Sequence, residues 1–124
     1  MATVIMSAFK DDEMIASDVI RGDCFFKRLV GLSNKKEMKE SEGCWLMPCN
    51  QIHTYGMSFP IDVLFLSKDG EILEMQLNFA PQKISKCVRN ADSVLELCAN
   101  CAEIKSLKIG DKIRFITIDD KENI

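Results

Sequence analysis

One stretch of the chain, residues 61–77, restricts the possible folds more than any other part of the sequence. It begins with an apolar run, Val63 to Leu66, that is too continuous to alternate between a buried and an exposed face. Residues 68–70 (Lys-Asp-Gly) then give a turn signal, and Glu71 to Leu77 alternates polar with apolar side chains. This order predicts a β-hairpin whose first strand is covered on both faces and belongs to the core.

Short apolar or alternating runs recur along the rest of the chain. Together they predict a mainly β fold, a compact sandwich or barrel of about seven or eight short strands with two short helices. Asp23 is expected to cap the first helix, which ends near residues 33–34, and Asn100 with Glu103 resembles a capping box opening a second helix that ends at Leu107. The remaining predicted strands are Thr3 to Phe9, Glu13 to Val19, Cys44 to Met47, Ser93 to Leu97 and Lys112 to Ile118.

The composition is that of one globular domain, residues 1–124, without an internal repeat or a linker. Hydrophobic residues make up 47% and charged residues 28% of the chain, and no apolar segment approaches the roughly 20 residues that span a bilayer. The net charge of −3, with 16 basic and 19 acidic residues interspersed, creates no field that attracts nucleic acid. We therefore expect neither a membrane nor a nucleic-acid partner.

The N-terminal segment, MATVIMSAFKDDEM, lacks the basic leader and the apolar stretch of a secretory signal, so we expect a cytoplasmic protein. In that compartment the six cysteines are expected to be reduced thiols, most of them small buried residues. No motif in the chain indicates a cofactor.

The segment 49–66 is the best candidate for a functional site, because it holds the only histidine of the chain beside a proline and a carboxylate. If its first part is extended, Ile52 and Thr54 face one way and His53 and Tyr55 face the other. A lone histidine beside a proline turn is more often a satisfied structural group than a catalytic one. A structural role and a functional role therefore both remain open for His53.

Asp62 lies at the mouth of the apolar run, where an unpaired carboxylate would be unfavourable by several kcal/mol and should find hydrogen-bond donors. The candidate donors are His53, Thr54, Arg28 and nearby backbone amides. A contact with His53 would orient the imidazole as a general base, whereas bonds to backbone amides would make Asp62 a structural group at a turn.

The cysteines offer three weaker possibilities. Cys49 precedes His53 by four residues, so a Cys-His nucleophile is conceivable. Cys101, in the first turn of the predicted second helix, could have a depressed pKa and support redox exchange. A zinc site is a further hypothesis, and its candidate ligands are Cys44, Cys49, His53, Cys98 and Cys101.

The chain resembles the family called domain of unknown function 192. The pattern I-H-T-x-G-M-x-x-P-I-D-V-x-F-L, preceded by P-C-N, carries the resemblance. The resemblance covers about residues 24–116 and implies a single, mainly β domain, but it implies no activity. Some members look like neighbours of secretion or pilus genes. The matching positions are Pro48 to Asn50 and Ile52 to Leu66, with support from Arg28 to Leu32, Asp69 and Gly70, Val94 to Leu97 and Ile109 to Asp111.

The sequence departs from the family pattern at several positions, including Gly31 to Ser33, where the usual G-L-M step ends in serine. Ser58 stands where relatives often carry a basic residue, which puts an anion-binding role of that position in doubt. Residues 97–100 (Leu-Cys-Ala-Asn) replace the usual L-P-A-G, so a metal or redox function of Cys98 and Cys101 would not be a family property.

From these observations we expect a non-enzymatic domain that binds a small molecule or a peptide segment. An apolar and sulfur-containing lining beside a few polar groups is typical of small binding sites. One alternative is a hydrolase or transferase-type enzyme that uses a His53/Asp62 acid-base pair. Another is an accessory protein of a secretion or pilus assembly system whose edge strands recruit a partner. The expected pocket residues are Arg28, His53, Thr54, Met57, Phe59 and Asp62.

Overall fold

The computed structural model of the protein describes residues 4–22 and 37–117. The predicted first helix, Arg28 and the polar tail lie outside these residues. The described elements are β1 (Val4–Lys10), β2 (Glu13–Gly22), β3 (Glu42–Leu46), β4 (Ile61–Leu66), β5 (Ile72–Phe79), β6 (Ser93–Cys98), α1 (Cys101–Ile104) and β7 (Arg114–Thr117).

The strands of the described residues form one seven-stranded sheet in the order β5-β4-β6-β3-β2-β1-β7. Neighbouring strands are antiparallel except β2 and β3, which run parallel. The prediction of a mainly β fold is confirmed. Over the described residues the sheet is not a closed barrel, because β5 and β7 form its two edges.

The central hairpin of the sequence prediction is present as β4 and β5, which pair antiparallel. Every residue of β4 is buried, since β5 and β6 flank it and other segments cover both of its faces. Gly70 in the connecting turn has φ +84°, and a Cβ there would lie 2.5 Å from the carbonyl oxygen of Ile113. Only glycine fits this turn without a shift of the backbone.

The sheet curls so strongly that side chains of distant strands meet. β3 and β7 are three strand spacings apart in the sheet order, about 14 Å along the sheet. Their side chains Trp45 and Phe115 nevertheless stack, with ring centroids 3.6 Å apart and planes 6° from parallel. The start of β5 is also joined to the chain before β7, where the Ile72 N–H donates to the Asp111 carbonyl at 2.8 Å. Side chains of β3 and β7 therefore meet across the curled sheet.

The helix α1 is shorter than predicted, and the predicted capping box is wrong. Asn100 precedes it with φ 72° and makes no side-chain cap bond; its Oδ1 instead accepts a hydrogen bond from the side chain of Asn78 at 3.1 Å. The carboxylate of Asp62 accepts the N–H of Ala102 in the first turn, so an acceptor from a neighbouring strand replaces the expected cap. No helix within the described ranges is long and apolar enough to cross a membrane.

Candidate functional site

The candidate segment after Pro48 is extended through residues 51–54 and pairs with residues 83–85. The Thr54 N–H donates to the Lys83 carbonyl at 2.7 Å, and the Ser85 N–H donates to the Ile52 carbonyl at 2.8 Å. Ile52 and Thr54 are buried, whereas His53 is partly exposed and Tyr55 is exposed. The predicted alternation of this segment is confirmed, and it leaves His53 on the outer side.

Thr54 is fully buried and ties the segment to the loop after β5. Its hydroxyl donates to the Ala80 carbonyl at 2.7 Å and accepts the Lys83 N–H at 3.0 Å. Its own carbonyl accepts the backbone N–H groups of Met57 and Gln82. These bonds satisfy the backbone of a loop that would otherwise bury unpaired polar groups. These contacts indicate that Thr54 has a structural role, because its hydroxyl is needed to satisfy the backbone of this loop.

Asp62 is fully buried in β4, and both of its carboxylate oxygens serve the backbone. Oδ1 accepts the N–H of Asn78 at 2.9 Å, and Oδ2 accepts the N–H of Ala102 at 3.0 Å. Asn78 lies near the end of β5 with φ 50°, and Ala102 lies in α1. The side chain of Asp62 thus links both β5 and α1 to β4 by hydrogen bonds. The donors expected from the sequence are found, and they are backbone amides.

His53 is held by its own segment. Its Nδ1 accepts the N–H of Tyr55 at 3.3 Å, and the two rings stack with centroids 5.2 Å apart. The hydrogen bonds of the Asp62 carboxylate within the described residues go to Asn78 and Ala102, so they do not orient this imidazole. The structure thus does not form the His53/Asp62 pair that the enzyme hypothesis requires.

Met57 and Phe59, the two apolar candidates, pack in the hydrophobic core with exposed fractions of 2% and 7%. They stabilise the interior together with buried Thr54 and Asp62. Of the predicted pocket residues within the described ranges, only His53 reaches the surface.

The structure does not support the zinc site or the Cys49 nucleophile considered from the sequence. Across residues 4–22 and 37–117, the His, Cys, Asp and Glu side chains form no group of three or more that could hold a metal ion. The zinc set inferred from the sequence is therefore not assembled. The Cys49 thiol donates to the Gln51 carbonyl at 3.2 Å. This bond engages the thiol that was considered as a nucleophile.

Cys98 and Cys101 do come together, close enough for each thiol to influence the pKa of the other. Burial, rather than the helix, dominates their chemistry. It raises the pKa of Cys98, and it raises the pKa of Cys101 from 9.0 to about 12, with the neighbouring Cys98 adding to the shift. The prediction of a depressed pKa for Cys101 is wrong, because four residues of helix do not compensate for the loss of water.

Sequence reasoning missed a cavity of about 380 Å³. It opens at the end of the curled sheet where β2, β3 and β4 finish and β6 begins. Its lining combines the stacked pair of Trp45 and Phe115 with three further apolar side chains, Met6, Met47 and Ile113. The lone tryptophan of the chain, next to the end of a strand, was the one signal in the sequence that pointed to this place.

The rim of this cavity is charged. It carries Arg21 from β2, Lys68 and Asp69 from the turn after β4, and Asp92 just before β6. Asp92 also lines a smaller cavity of about 220 Å³ beside Pro48 to Asn50, at the start of the candidate segment. The two cavities therefore adjoin one another on this end of the molecule.

These features define a class of protein: a small, mainly β domain whose curled sheet leaves a cavity with an aromatic wall at one end. The chain belongs to the family DUF192, described as an uncharacterized ACR, whose profile matches residues 8–115. The resemblance seen in the sequence is thereby confirmed.

Two solved structures are similar to this fold. One is a protein of unknown function from Novosphingobium aromaticivorans, with 18% identity and a TM-score of 0.74, covering 90% of this chain and 84% of its own. The other is a "putative transcription regulator" from Sinorhizobium meliloti, with 21% identity and a TM-score of 0.73, covering 92% and 94%. At these identities the likeness shows the fold alone. No curated protein matches the chain.

Proposed function

We propose that this protein is a non-enzymatic domain that binds a small ligand, and that the ligand occupies the cavity beside Trp45. The observation that carries the proposal is the cavity itself, about 380 Å³ in volume at the end of a curled sheet. Ligand pockets span roughly 300–1,000 Å³ and favour the mouths of barrel-like sheets, with a mostly apolar lining and a few polar groups. This cavity has the required volume and lies at the end of a curled sheet, and its lining combines five apolar side chains with polar and charged ones.

The candidate segment plays a supporting part in this proposal. The side chains of Thr54 and Asp62 form hydrogen bonds with backbone groups, and these bonds explain why both residues are present without invoking a ligand. His53 is the member at the surface; its contact with a ligand stays a prediction from the sequence, and the cavity proposed as the site does not include it. The description of the Sinorhizobium protein as a regulator does not extend to this chain, since a net charge of −3 favours no contact with DNA.

We also propose a cytoplasmic location. The five described cysteines, Cys44, Cys49, Cys87, Cys98 and Cys101, are free thiols, which suits a reducing compartment.

The chain contains one tryptophan, so fluorescence excited at wavelengths that tyrosine does not absorb reports on Trp45 alone. We would screen a panel of small metabolites by thermal shift and then titrate each stabilising compound while recording this fluorescence. A compound at one hundred times its Kd adds about 2.7 kcal/mol to the free energy of unfolding, which a thermal scan detects. The expected result is a compound that raises Tm and also changes the emission of Trp45.

Two variants then locate the site by calorimetry. Trp45→Phe keeps an aromatic ring in the wall but removes the indole N–H, and we expect it to weaken binding at least tenfold. His53→Ala alters the surface of the candidate segment, and we expect it to leave the affinity unchanged. A ligand that depends on His53 and not on Trp45 would place the site in the segment. A panel without any stabilising compound would contradict the proposal of small-ligand binding.

A further inference from the structure

The charges at the cavity rim are of both signs. Arg21 and Lys68 are cations, Asp69 and Asp92 are anions, and all four side chains are exposed. None of them forms an ion pair with another described residue, whereas Lys10 and Asp111 nearby in the fold do form one, at 3.1 Å. A ligand entering the cavity therefore meets two cations and two carboxylates that are available for contact.

Arg21 is the best placed of the cations. It lies over the indole of Trp45, with its Cζ 5.8 Å from the ring centroid, and the two residues face each other across the parallel strands β2 and β3. A cation–π contact restrains the guanidinium before any ligand arrives. The planar group then offers two parallel N–H donors, which match the two oxygens of a carboxylate.

Asp92 is the best placed of the anions, because its backbone is fixed on both sides. Its N–H donates to the Leu66 carbonyl at 2.8 Å, and its carbonyl accepts the Cys49 N–H at 3.0 Å. It directly precedes β6, which is two strand spacings from β2 in the sheet order. Arg21 pairs with Trp45 and Trp45 pairs with Leu95, so Asp92 lies two strands across and three residues along from Arg21. By strand geometry their backbones are about 14 Å apart, a span that the two side chains bridge together with a small molecule.

Below this charged rim the cavity is apolar and adaptable. Met6 and Ile113 are buried, and Met47 is partly buried beside them. Methionine side chains adjust to differently shaped apolar groups. The buried indole N–H of Trp45 has no hydrogen-bond acceptor among the described residues, so an oxygen atom of a ligand would satisfy it.

From this arrangement we infer that the ligand is a small zwitterion of the amino-acid or dipeptide class with an apolar side chain. The inference rests on the proposed function and names the ligand of the same cavity. The carboxylate of the ligand pairs with Arg21, its ammonium pairs with Asp92, and its side chain fills the apolar floor. Phosphate esters are disfavoured, because the two carboxylates at the rim offset its two cations and leave no excess of positive charge for a dianion.

The test uses leucine, methionine, phenylalanine and leucyl-leucine as probes, with binding measured by Trp45 fluorescence and calorimetry. Each probe is compared with its N-acetyl form, which lacks the ammonium, and with its amide, which lacks the carboxylate. We expect each blocked form to bind at least tenfold more weakly than the free zwitterion. The affinity should also fall as salt is added, since exposed charges are screened.

Charge-removing variants assign the two contacts. Arg21→Gln should weaken the free zwitterion while barely changing the affinity for the amide, and Asp92→Asn should weaken the free zwitterion while barely changing the affinity for the N-acetyl form. Lys83→Gln, an exposed charge outside this cavity, is the matched control and should bind like the wild type.

The outcomes separate this inference from the function on which it rests. If another compound binds at Trp45 but no zwitterion does, or if blocked forms bind as tightly as free ones, the ligand class is wrong and the binding function stands. If no compound binds, both the inferred ligand class and the proposed binding function are wrong. If both charge variants bind like the Lys83→Gln control, the assigned contacts are wrong and the inference fails.

Discussion

Replacing Asp62 tests whether this residue stabilises the fold through its hydrogen bonds to the backbone. In the structure its two oxygens accept the backbone N–H groups of Asn78 and Ala102, and the side chain is fully buried. Asp62→Asn keeps the shape of the side chain and one oxygen, but it turns the other acceptor into an amide that faces a backbone donor. One of the two bonds is lost, and the N–H left behind has no partner.

The expected loss follows from those contacts. A hydrogen bond to a charged group contributes about 1.5–3 kcal/mol, and an unsatisfied buried donor is unfavourable by a similar amount. We therefore expect Asp62→Asn to lower the free energy of unfolding by about 2–3 kcal/mol. Since domains are usually stable by about 5–15 kcal/mol, the variant should still fold. Asp62→Ala leaves both donors unpaired and should cost about 2–6 kcal/mol.

The assay is urea unfolding followed by the fluorescence of Trp45. With an m-value of about 1–3 kcal/mol/M, Asp62→Asn should unfold at a urea concentration lower by about 0.7–3 M. Hydrogen exchange provides a local readout, because the amides of Asn78 and Ala102 should lose protection. Asp12→Asn, in the exposed β1–β2 turn, is the matched control and should shift the midpoint very little. An Asp62→Asn protein as stable as this control would refute the reasoning.

Three further predictions concern other parts of the fold. Thr54→Val removes the hydroxyl that two backbone groups use, so urea unfolding should show a loss of about 1–3 kcal/mol; Thr54→Ser keeps the hydroxyl and should lose less. Gly70→Ala should lower Tm more than Gly110→Ala, although both glycines have positive φ, because only the Cβ at position 70 would meet a backbone atom, that of Ile113; equal shifts in Tm would contradict this. Burial raises the pKa of Cys101 from 9.0 to about 12, so the folded state keeps a proton that the unfolded state releases. Stability from this group is present below pH 9 and is lost as the pH rises from about 9 towards 12. Cys101→Ser should flatten the alkaline decline in stability, and an unchanged decline would disprove the assignment.

The hairpin of β4 and β5 was predictable because its signals are local. A continuous apolar run, a turn ending in Gly70 and an alternating return strand specify their pairing within 20 or so residues. The extended path of residues 51–54 was predictable for the same reason, since period-two alternation reads directly from the sequence.

The cavity was not predictable, because its lining residues are far apart in the chain. Arg21, Trp45 and Asp92 meet only when strands pair in an order that departs from the order of the sequence. For the same reason the sequence predicted backbone amides as possible partners of Asp62 but not which amides they are. The sequence shows that a buried carboxylate needs donors, but the amides of Asn78 and Ala102 approach it only in the folded sheet. Local signals carry no information on such contacts.

The position of β6 has a consequence for the order of events during folding. It lies between β4 and β3, so it joins the β5-β4 hairpin to the strands β3, β2 and β1. All five of those strands precede β6 in the chain. Before β6 has been synthesised and has paired, the β5-β4 hairpin and the β3-β2-β1 strands are two separate groups. During synthesis each group presents an open strand edge, the kind of surface on which unfolded chains associate. Ser93 to Cys98 therefore marks the point in translation after which the two halves become one sheet.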